Sequence, residues 1–283
     1  MSELNGIVLD LDEREYHSHD SLSSTGARKL LESPARFHYA QQHPQAPKAA
    51  FDLGTATHSK VLGVGAAAIA YTQEHLTKSG NVSTAAATVA WAEVQRNNGL
   101  TPISPADMAA VDAMAESVLA HPIARQLFEQ EGDAEASVFA TDTNTGVKTR
   151  ARFDFLPNFA QPDPIAVDLK TSGKDASPES FAKTVANFGY HIQDDFYRCT
   201  YGAATGNYHM PMKFVVVETA APYLVGVYEL APEYLEIARA QVRKALATYA
   251  ACKAADQWPG YPHDNDPLQP PNWLIFSEGI EFD

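Results

Sequence analysis

The sequence predicts an α/β fold in which a helical N-terminal part precedes a β-sheet. Up to about residue 130 apolar residues recur at helical spacing, whereas from Glu135 onward alternating stretches typical of strands are interleaved with helical ones. The order after Glu135 is strand, strand, strand, helix, helix, strand, strand, helix, which is typical of a sheet covered by helices. We expect a single domain made of a helical part at 1–130, an α/β core at 131–255 and an acidic tail at 256–283.

Four helices are expected before the sheet. Ser23 and Ser24 provide capping side chains for an amphipathic stretch that runs to Tyr39. Ser104 followed by Pro105 opens another helix, because proline suits the first helical turn. The expected helices are, in order, the stretch up to Tyr39, Leu53–Leu62 after a linker at Pro44–Pro47, Thr84–Asn97, and Pro105–Phe128.

The sheet is expected to begin with a hairpin. Glu135–Thr141 and Val147–Leu156 both alternate, and Thr143–Gly146 between them favours a turn. A stretch bounded by prolines, Pro157–Pro164, separates the hairpin from a third strand at Ile165–Lys170. The remaining expected elements are helices at Ser177–Asn187 and His191–Ala204, strands at Lys213–Glu218 and Leu224–Leu230, and a helix at Pro232–Lys253.

The end of the chain is acidic and aromatic. After Lys253 it has six acidic residues and neither lysine nor arginine. Trp258, Trp273 and Phe276 are large apolar side chains, whose burial is favourable. We therefore expect the tail to pack on the core.

Composition limits the class of protein. A length of 283 residues and a hydrophobic content of 45% are those of a globular chain with a sizeable core. The net charge of −14 argues against a protein that coats DNA by phosphate neutralisation. It does not exclude an enzyme whose basic residues are confined to one channel.

Nothing in the sequence predicts secretion or membrane insertion. Met1–Asp12 is acidic and lacks the order of a signal peptide, and no apolar run approaches the roughly 18 residues that a membrane span needs. Cys199 and Cys252 are too few for a disulfide framework or a cysteine-ligated metal cluster. We expect a cytoplasmic protein.

A carboxylate and an amine share one face of the third predicted strand. Because strand side chains alternate, Asp168 and Lys170 project together, and Asp154 on the preceding strand is expected beside them. Paired carboxylates suit a hard cation such as Mg²⁺, with the backbone carbonyl of Leu169 as a further candidate ligand. Lys170 would orient or deprotonate a water molecule. A D-x-K triplet alone is more often a solvent-exposed ion pair.

Basic residues precede Asp154 on the same strand. Lys148, Arg150 and Arg152 are expected on its face, where they could contact successive DNA phosphates. The alternative interpretation is a solvated strand face. The opposite, inward face is expected to hold Val147, Ala151, Phe153 and Phe155.

Two helical motifs flank these strands. Gly54 and His58 form G-x-x-x-H before the sheet, and Gln193 and Tyr197 form Q-x-x-x-Y after it. The i,i+4 spacing places each pair on one helix face. Alone, His58 would be an ordinary helix histidine, and Gln193 with Tyr197 a polar stripe.

The order G-x-x-x-H, D, D-x-K, Q-x-x-x-Y resembles the RecB-like branch of the PD-(D/E)XK nucleases. Longer stretches resemble the catalytic domain of RecE-type exonucleases, also called exonuclease VIII, and their phage and prophage relatives. The resemblance covers Tyr16–Gly206 and weakens after Lys213. The stretches that carry it are LSSTGARKLLESPARF, DLGTATHSKVL, AMAESVLAHPIARQLF, EASVFATDTNTGVKTRARFDFL, VDLKTS and GYHIQDDFY.

This resemblance implies a PD-(D/E)XK restriction-endonuclease-like core, a central mixed sheet flanked by helices, with an N-terminal helical extension. It implies that His58, Asp154 and Asp168 ligate Mg²⁺, for which Mn²⁺ is expected to substitute, and that Lys170 is the catalytic lysine. Glu135 would be an outer acid that acts through water.

The resemblance also assigns supporting roles. Gln193 and Tyr197 would support the site and the DNA backbone. The family's proline–aspartate pair is Phe153–Asp154 here, at a position where the proline varies. The chain lacks the four cysteines of the iron–sulfur branch, so we expect no iron–sulfur cluster.

The implied activity is Mg²⁺-dependent digestion of linear double-stranded DNA from its 5′ ends. The remaining 3′ single strand would pass to a RecT-type annealing protein, and the enzyme would be a homo-oligomer, by analogy a tetramer, around the duplex. Because metal chemistry does not encode direction, a nuclease of other polarity or an endonuclease is an alternative. A catalytically inactive module that binds DNA ends or protein is another, although intact Asp154, Asp168 and Lys170 argue against it.

Digestion from a 5′ end requires a group that holds the terminal phosphate. Ser23 and Ser24 lie where the first helix opens, with backbone N–H groups and the positive end of the helix dipole available to an anion. Arg28 follows about one turn later and could contact the same phosphate. The alternative is plain N-capping with a surface arginine.

Overall fold

The computed structural model of the chain describes residues 4–43, 49–261, 267–271 and 274, with only the backbone for 49–51. The linker predicted at Pro44–Pro47, and Trp273 and Phe276 of the tail, lie outside the described residues.

The described residues form helices and strands in an order close to the predicted one. The helices are α1 (Glu13–Ser18), α2 (Ser24–Glu32), α3 (Pro34–Gln42), α4 (Ala49–Leu62), α5 (Ala86–Asn97), α6 (Pro105–Ala120), α7 (Pro122–Phe128), α8 (Pro178–Phe188), α9 (Tyr190–Thr205) and α10 (Pro232–Ala255), with a 3₁₀ turn at Gln73–His75. The strands are β1 (Gly6–Val8), β2 (Leu22–Ser23), β3 (Ala67–Ala70), β4 (Leu100–Ile103), β5 (Gly132–Thr141), β6 (Lys148–Pro157), β7 (Ala166–Ser172), β8 (Met212–Glu218) and β9 (Val225–Tyr228).

The main sheet is mixed. Its strand order is β1-β5-β6-β7-β8-β9, with the short β2 paired to β6. The β5–β6, β6–β7 and β8–β9 pairs are antiparallel and the β7–β8 pair is parallel, with α8 and α9 as the crossover. A separate two-stranded parallel sheet joins β3 to β4. The predicted α/β class, a central mixed sheet flanked by helices, is confirmed.

Helices cover both sides of the sheet. Along β8, Phe214 and Val216 belong to one apolar core, while Val215 and Val217 belong to another. Because strand side chains alternate, the two cores lie on opposite sides. Residues of α2, α9 and α10 fill the first core, and residues of α4, α6 and α7 fill the second.

Two predicted helices are each divided by a proline. The stretch up to Tyr39 breaks between α2 and α3 at Ser33, and the one after Ser104 breaks between α6 and α7 at His121. Each break precedes a proline, which has no N–H to donate and disfavours helical geometry in the residue before it. Ser33 and His121 then cap the next helix with their side chains.

The N-terminal part is not only helical, contrary to the prediction. β1 pairs with β5 and β2 with β6, so two segments before residue 130 extend the main sheet. These strands have three and two residues, too few to show an alternating pattern.

The first residues of the tail pack on the helices. Trp258 stacks on His38, with ring centroids 4.9 Å apart, and contacts Phe37 and Tyr249. The carbonyl of Pro259 accepts a hydrogen bond from the backbone of α3. In the described ranges, no helix is both long and apolar enough to cross a membrane.

Arg150 is buried, although we expected it on a strand face where it could contact DNA phosphates. It is 9% exposed, and its guanidinium donates to the backbone carbonyls of His19 and Ser21 and lies 5.2 Å from the ring centre of Tyr16. The segment between α1 and α2 therefore covers this part of β6. Arg150 holds that segment on the sheet.

Replacing Arg150 with alanine should destabilise the fold by about 2–3 kcal/mol, because buried carbonyls would lose a charged donor. Urea unfolding measures the change. The matched control is Arg125→Ala, since Arg125 is exposed and its ion pair among the described residues is with Glu129, and its loss should cost no more than about 0.5 kcal/mol. Weaker DNA binding with unchanged stability would instead restore Arg150 as a DNA contact.

Candidate metal centre

The two aspartates of the predicted site lie side by side on β6 and β7. Phe155 is paired with Val167, and Asp154 and Asp168 are the next residues along the two antiparallel strands. One oxygen of Asp154, Oδ2, accepts a hydrogen bond from the backbone N–H of Leu169 at 2.6 Å. The sheet thus fixes both carboxylates, as the sequence predicted.

Glu135 reaches the same place from β5. Its neighbours Ala134 and Ala136 pair with Phe155 and Phe153, so Glu135 lies opposite Asp154. Its φ of 53° is in the left-handed region, which costs a non-glycine residue about 1–2 kcal/mol. Such strain is concentrated at functional sites, which makes this backbone outlier an independent sign of one.

The alternation of β6 is broken at Asp154. Phe153 packs in the first core, but Phe155 packs in the second, so the two rings lie on opposite sides of the sheet. Our expectation that both point to one face was wrong. The irregular backbone at Glu135, opposite Asp154, accounts for the change of side.

His58 approaches the aspartates from α4. Its Nδ1 lies 3.5 Å from Asp154 Oδ2, and the imidazole is largely buried. One turn earlier, Gly54 faces Thr171 of β7, where an added Cβ would be at an ordinary distance of 3.5 Å. Packing within this chain therefore does not require a glycine there.

The donors of three side chains form a tight group. One ligand atom each from His58, Glu135 and Asp154 lies within 4.8 Å of the other two. Two carboxylates and an imidazole are a donor set that fits a divalent cation. The group contains Glu135, for which we predicted a contact through water, and it does not contain Asp168.

Asp168 is engaged by other side chains. One of its oxygens pairs with Lys170 Nζ, and the other accepts a hydrogen bond from Gln193 Nε2 of α9. Asp168 is buried, so Lys170 compensates its charge within the protein. Ligation by Asp168 or by the carbonyl of Leu169 stays a prediction.

Lys170 is held as a cation. Burial lowers the pKa of its ammonium group, but Asp168 and Asp154 more than offset this, and the net shift of the pKa is upward. Its Nζ also lies 4.7 Å from the ring centre of Tyr190. In this arrangement Lys170 supplies positive charge, and it is poorly suited to removing a proton.

Negative charge is concentrated around these donors. Burial, followed by the charge of Asp154, raises the pKa of Glu135 to about 7. Burial lowers the pKa of His58, but Asp154 outweighs it and the net pKa is raised. Burial raises the pKa of Asp154, but His58 and Lys170 reverse that shift and the net pKa is lowered. A bound cation would relieve the repulsion between the two carboxylates.

Gln193 and Tyr197 occupy one face of α9, as expected from their spacing. Gln193 positions Asp168, and Tyr197 packs edge-on against Phe153 with ring centroids 4.9 Å apart. Burial raises the pKa of Tyr197 well above 10, so the phenol stays neutral. Contact of Tyr197 with DNA stays a prediction.

Two depressions meet at His58. The first, of about 730 Å³, is rich in acidic side chains and is lined in part by Asp10, Asp12, Glu13, Glu135 and Asp154. The second, of about 670 Å³, contains Lys170 and Lys174, and its described lining includes no acid. The candidate metal centre therefore lies between surfaces of opposite charge.

Ser23, Ser24 and Arg28 lie near this centre. Both serines line the acidic depression, and Ser23 Oγ caps α2 by accepting from the N–H of Gly26 at 3.2 Å. Arg28 is half-buried and donates to Thr25 Oγ1 at 2.9 Å and to the carbonyl of the residue that ends α8. Capping by Ser23 is thus shown, and phosphate binding stays a prediction.

Arg152 of β6 lines the acidic depression at the centre. Its guanidinium donates to Ser137 Oγ at 3.0 Å and to the carbonyl of Leu11 at 2.7 Å, and it lies 4.0 Å from Glu135. These contacts hold the Arg152 guanidinium beside the Glu135 carboxylate. A DNA contact by Arg152 stays a prediction.

Sequence reasoning missed Tyr190. Its ring faces Lys170, and it precedes Gln193 by one helical turn. The sequence did hold a signal for Tyr190, because this spacing places it one turn before the Q-x-x-x-Y motif on the same helix.

Adding Mg²⁺ or Mn²⁺ to metal-stripped protein should raise its Tm. Saturation at about 100 times Kd stabilises a folded protein by about 2.7 kcal/mol, or roughly 4–5 °C for a chain of this size. The Glu135→Gln variant should show a much smaller shift. An equal shift in both proteins would remove Glu135 from the metal group.

Most of the chain matches a known protein family. A family model described as "PDDEXK-like domain of unknown function (DUF3799)" matches residues 23–267. A crystal structure described as a "putative exonuclease" from Eubacterium rectale aligns with a TM-score of 0.59 and 14% identity, covering 96% of this chain and all of the other. At that identity the likeness shows the fold alone.

Weaker structural similarities add no argument. The structure of SSO0001 aligns with a TM-score of 0.33 at 13% identity, covering 82% of this chain and 81% of that one. The structure of LHK-Exo in complex with dAMP aligns with a TM-score of 0.23 at 16% identity, covering 74% and 96%. No curated protein matches the sequence.

Proposed function

The chain belongs to the DUF3799 family of PDDEXK-like domains, and from that premise we propose that it is a Mg²⁺-dependent exodeoxyribonuclease acting on linear double-stranded DNA. One observation carries the proposal. A buried Asp168–Lys170 ion pair lies directly beside a group of cation donors, His58, Glu135 and Asp154. In metal-assisted hydrolysis of a phosphodiester, the cation activates water and polarises the phosphate, and a further positive charge stabilises the transition state.

The residues have separate roles in this proposal. His58, Glu135 and Asp154 would hold the cation, which when bound polarises the phosphate and lowers the pKa of a water molecule. Lys170 stabilises the negative charge that develops on the phosphate. Asp168, fixed by Gln193, positions the Lys170 ammonium.

Charge favours the second depression as the place where DNA is bound. The chain has a net charge of −14, so most of its surface repels a polyanion. Lys170 and Lys174 line the second depression without an acid in its described lining, whereas the first depression is acidic. A strand would therefore reach the centre from the lysine side.

The finer features of the proposal rest on the resemblance to RecE-type exonucleases. They are 5′-to-3′ digestion, a 3′ single strand passed to a RecT-type annealing partner and a homo-oligomer of four copies. Action in the cytoplasm rests instead on the sequence, which has only two cysteines. The metal chemistry is equally compatible with the other polarity or with internal cleavage.

Digestion of linear and covalently closed duplexes tests the proposal. We expect Mg²⁺-dependent loss of the linear form only. Cutting of both forms at similar rates would identify an endonuclease, and cutting of neither would favour an inactive binding module.

We expect a preference for 5′-phosphorylated duplex that depends on Arg28. Arg28→Ala should erase most of the preference, because a charge-assisted contact to the terminal phosphate is lost. Lys29→Ala is the matched control, since Lys29 is exposed on the same helix. If Arg28→Ala keeps the full preference, the phosphate is bound elsewhere and α2 is scaffold.

A further inference from the structure

The second depression contains an aromatic stack that ends at the surface. Tyr190 lies nearly parallel to the buried Phe214, with ring centroids 6.0 Å apart and planes at 19°. Phe188 continues the stack on Tyr190, at 5.9 Å and 20°. It is 58% exposed, and in the described part of the chain it has no other ring partner.

The exposed ring lies next to the chemistry. Phe188, Tyr190 and Lys170 line the same depression, and both the Phe188 ring and the Lys170 ammonium lie beside the Tyr190 ring, with centre distances of 5.9 Å and 4.7 Å. Lys174 lines the depression as well, is exposed, and has no ion-pair partner among the described residues. The second depression thus combines an aromatic face, the Lys174 ammonium and the candidate catalytic lysine.

The backbone that carries Phe188 is fixed. Arg28 donates a hydrogen bond to the Phe188 carbonyl across the gap between α2 and α8. The next residue, Gly189, has a φ of 66°, and a Cβ there would lie 2.7 Å from Arg28 Cδ. A glycine suits both this turn and this contact, so the end of α8 fixes the backbone that carries the Phe188 ring.

We propose that Phe188 is a stacking platform for a nucleobase of the DNA strand that enters the metal centre, with Lys174 beside it for a backbone phosphate. The proposal rests on the proposed nuclease function and adds a substrate subsite to it. An exposed aromatic ring next to cationic side chains is the combination that binds single-stranded nucleic acid, since every base offers a π face. The subsite therefore tolerates any base sequence.

Two measurements test the subsite. The first is the KM for digestion of linear duplex in Mg²⁺. The second is the fluorescence of single-stranded oligonucleotides with 2-aminopurine at successive terminal positions, bound in Ca²⁺ so that cutting is slow. Phe188→Ala should raise KM about 5-fold or more and abolish the quenching seen at one position, because stacking contributes about 1–3 kcal/mol per base.

Matched variants separate stacking from general effects. Phe188→Tyr should behave as wild type, whereas Phe188→Leu, which keeps apolar area without a ring, should behave as Phe188→Ala. Tyr39→Ala removes another exposed ring, 62% exposed and stacked on His43, and should change neither readout.

Three outcomes would contradict the proposed subsite. If Phe188→Ala keeps the wild-type KM and quenching while DNA is still cut, the subsite is overturned and the nuclease proposal stands. If Phe188→Ala changes only the size of the particle in gel filtration, the ring is a subunit contact and the subsite is again overturned. If the wild type neither binds nor cuts DNA, both proposals fail together.

Discussion

Asp154→Asn, Asp168→Asn and Lys170→Gln should each lower the rate of DNA hydrolysis by at least about 10³-fold, because each removes a charge that acts on the phosphate or holds the group that does. The rates are compared on linear duplex in saturating Mg²⁺, well below the Tm of every variant. Wild-type activity in any one of them would remove that residue from the chemistry.

The metal-induced rise in Tm distinguishes Asp154→Asn from Lys170→Gln. Asp154→Asn removes the carboxylate charge that His58 and Lys170 stabilise in the folded protein, so its metal-free Tm should fall below that of the wild type. Lys170→Gln should be less stable, because the buried Asp168 loses its compensating cation. The metal-induced rise in Tm should be lost in Asp154→Asn and kept in Lys170→Gln. The reverse pattern would exchange the roles assigned to these side chains.

The second large effect is expected at His58. His58→Ala removes one donor of the metal group, so the Mg²⁺ concentration for half-maximal activity should rise about 10- to 100-fold, as it does when a metal site loses a supporting contact. High Mn²⁺ should restore part of the rate, because His58 holds the metal and does not act on the phosphate. His209→Ala, an exposed histidine elsewhere, is the control. Full activity of His58→Ala at low Mg²⁺ would make His58 a structural histidine.

Part of the site could be predicted from the strand and helix patterns of the sequence. Asp154 and Asp168 were expected side by side because each lies on a strongly patterned strand and consecutive strands commonly pair. The same reasoning placed Lys170 beside Asp168, and i,i+4 spacing placed Gln193 and Tyr197 on one helix face. All of these placements are observed.

The remaining parts of the site could not be predicted, because they depend on features that leave no periodic pattern in the sequence. The left-handed backbone at Glu135 brings its carboxylate into the metal group and sends Phe153 and Phe155 to opposite cores. Arg150 was expected on an open face because strand β2 is too short to be seen in the sequence. Because β2 pairs with β6, the segment before β2 covers the Arg150 guanidinium.

Digestion of linear duplex labelled at either its 5′ or its 3′ ends tests the central claim most directly. The wild-type protein, stripped of metal and then given Mg²⁺, should release the 5′ label first as short products and leave a 3′-labelled single strand, with no release in EDTA. Absence of any label release in Mg²⁺ or Mn²⁺, with enzyme in excess over DNA ends, would contradict a metal-dependent nuclease built on Asp154, Asp168 and Lys170.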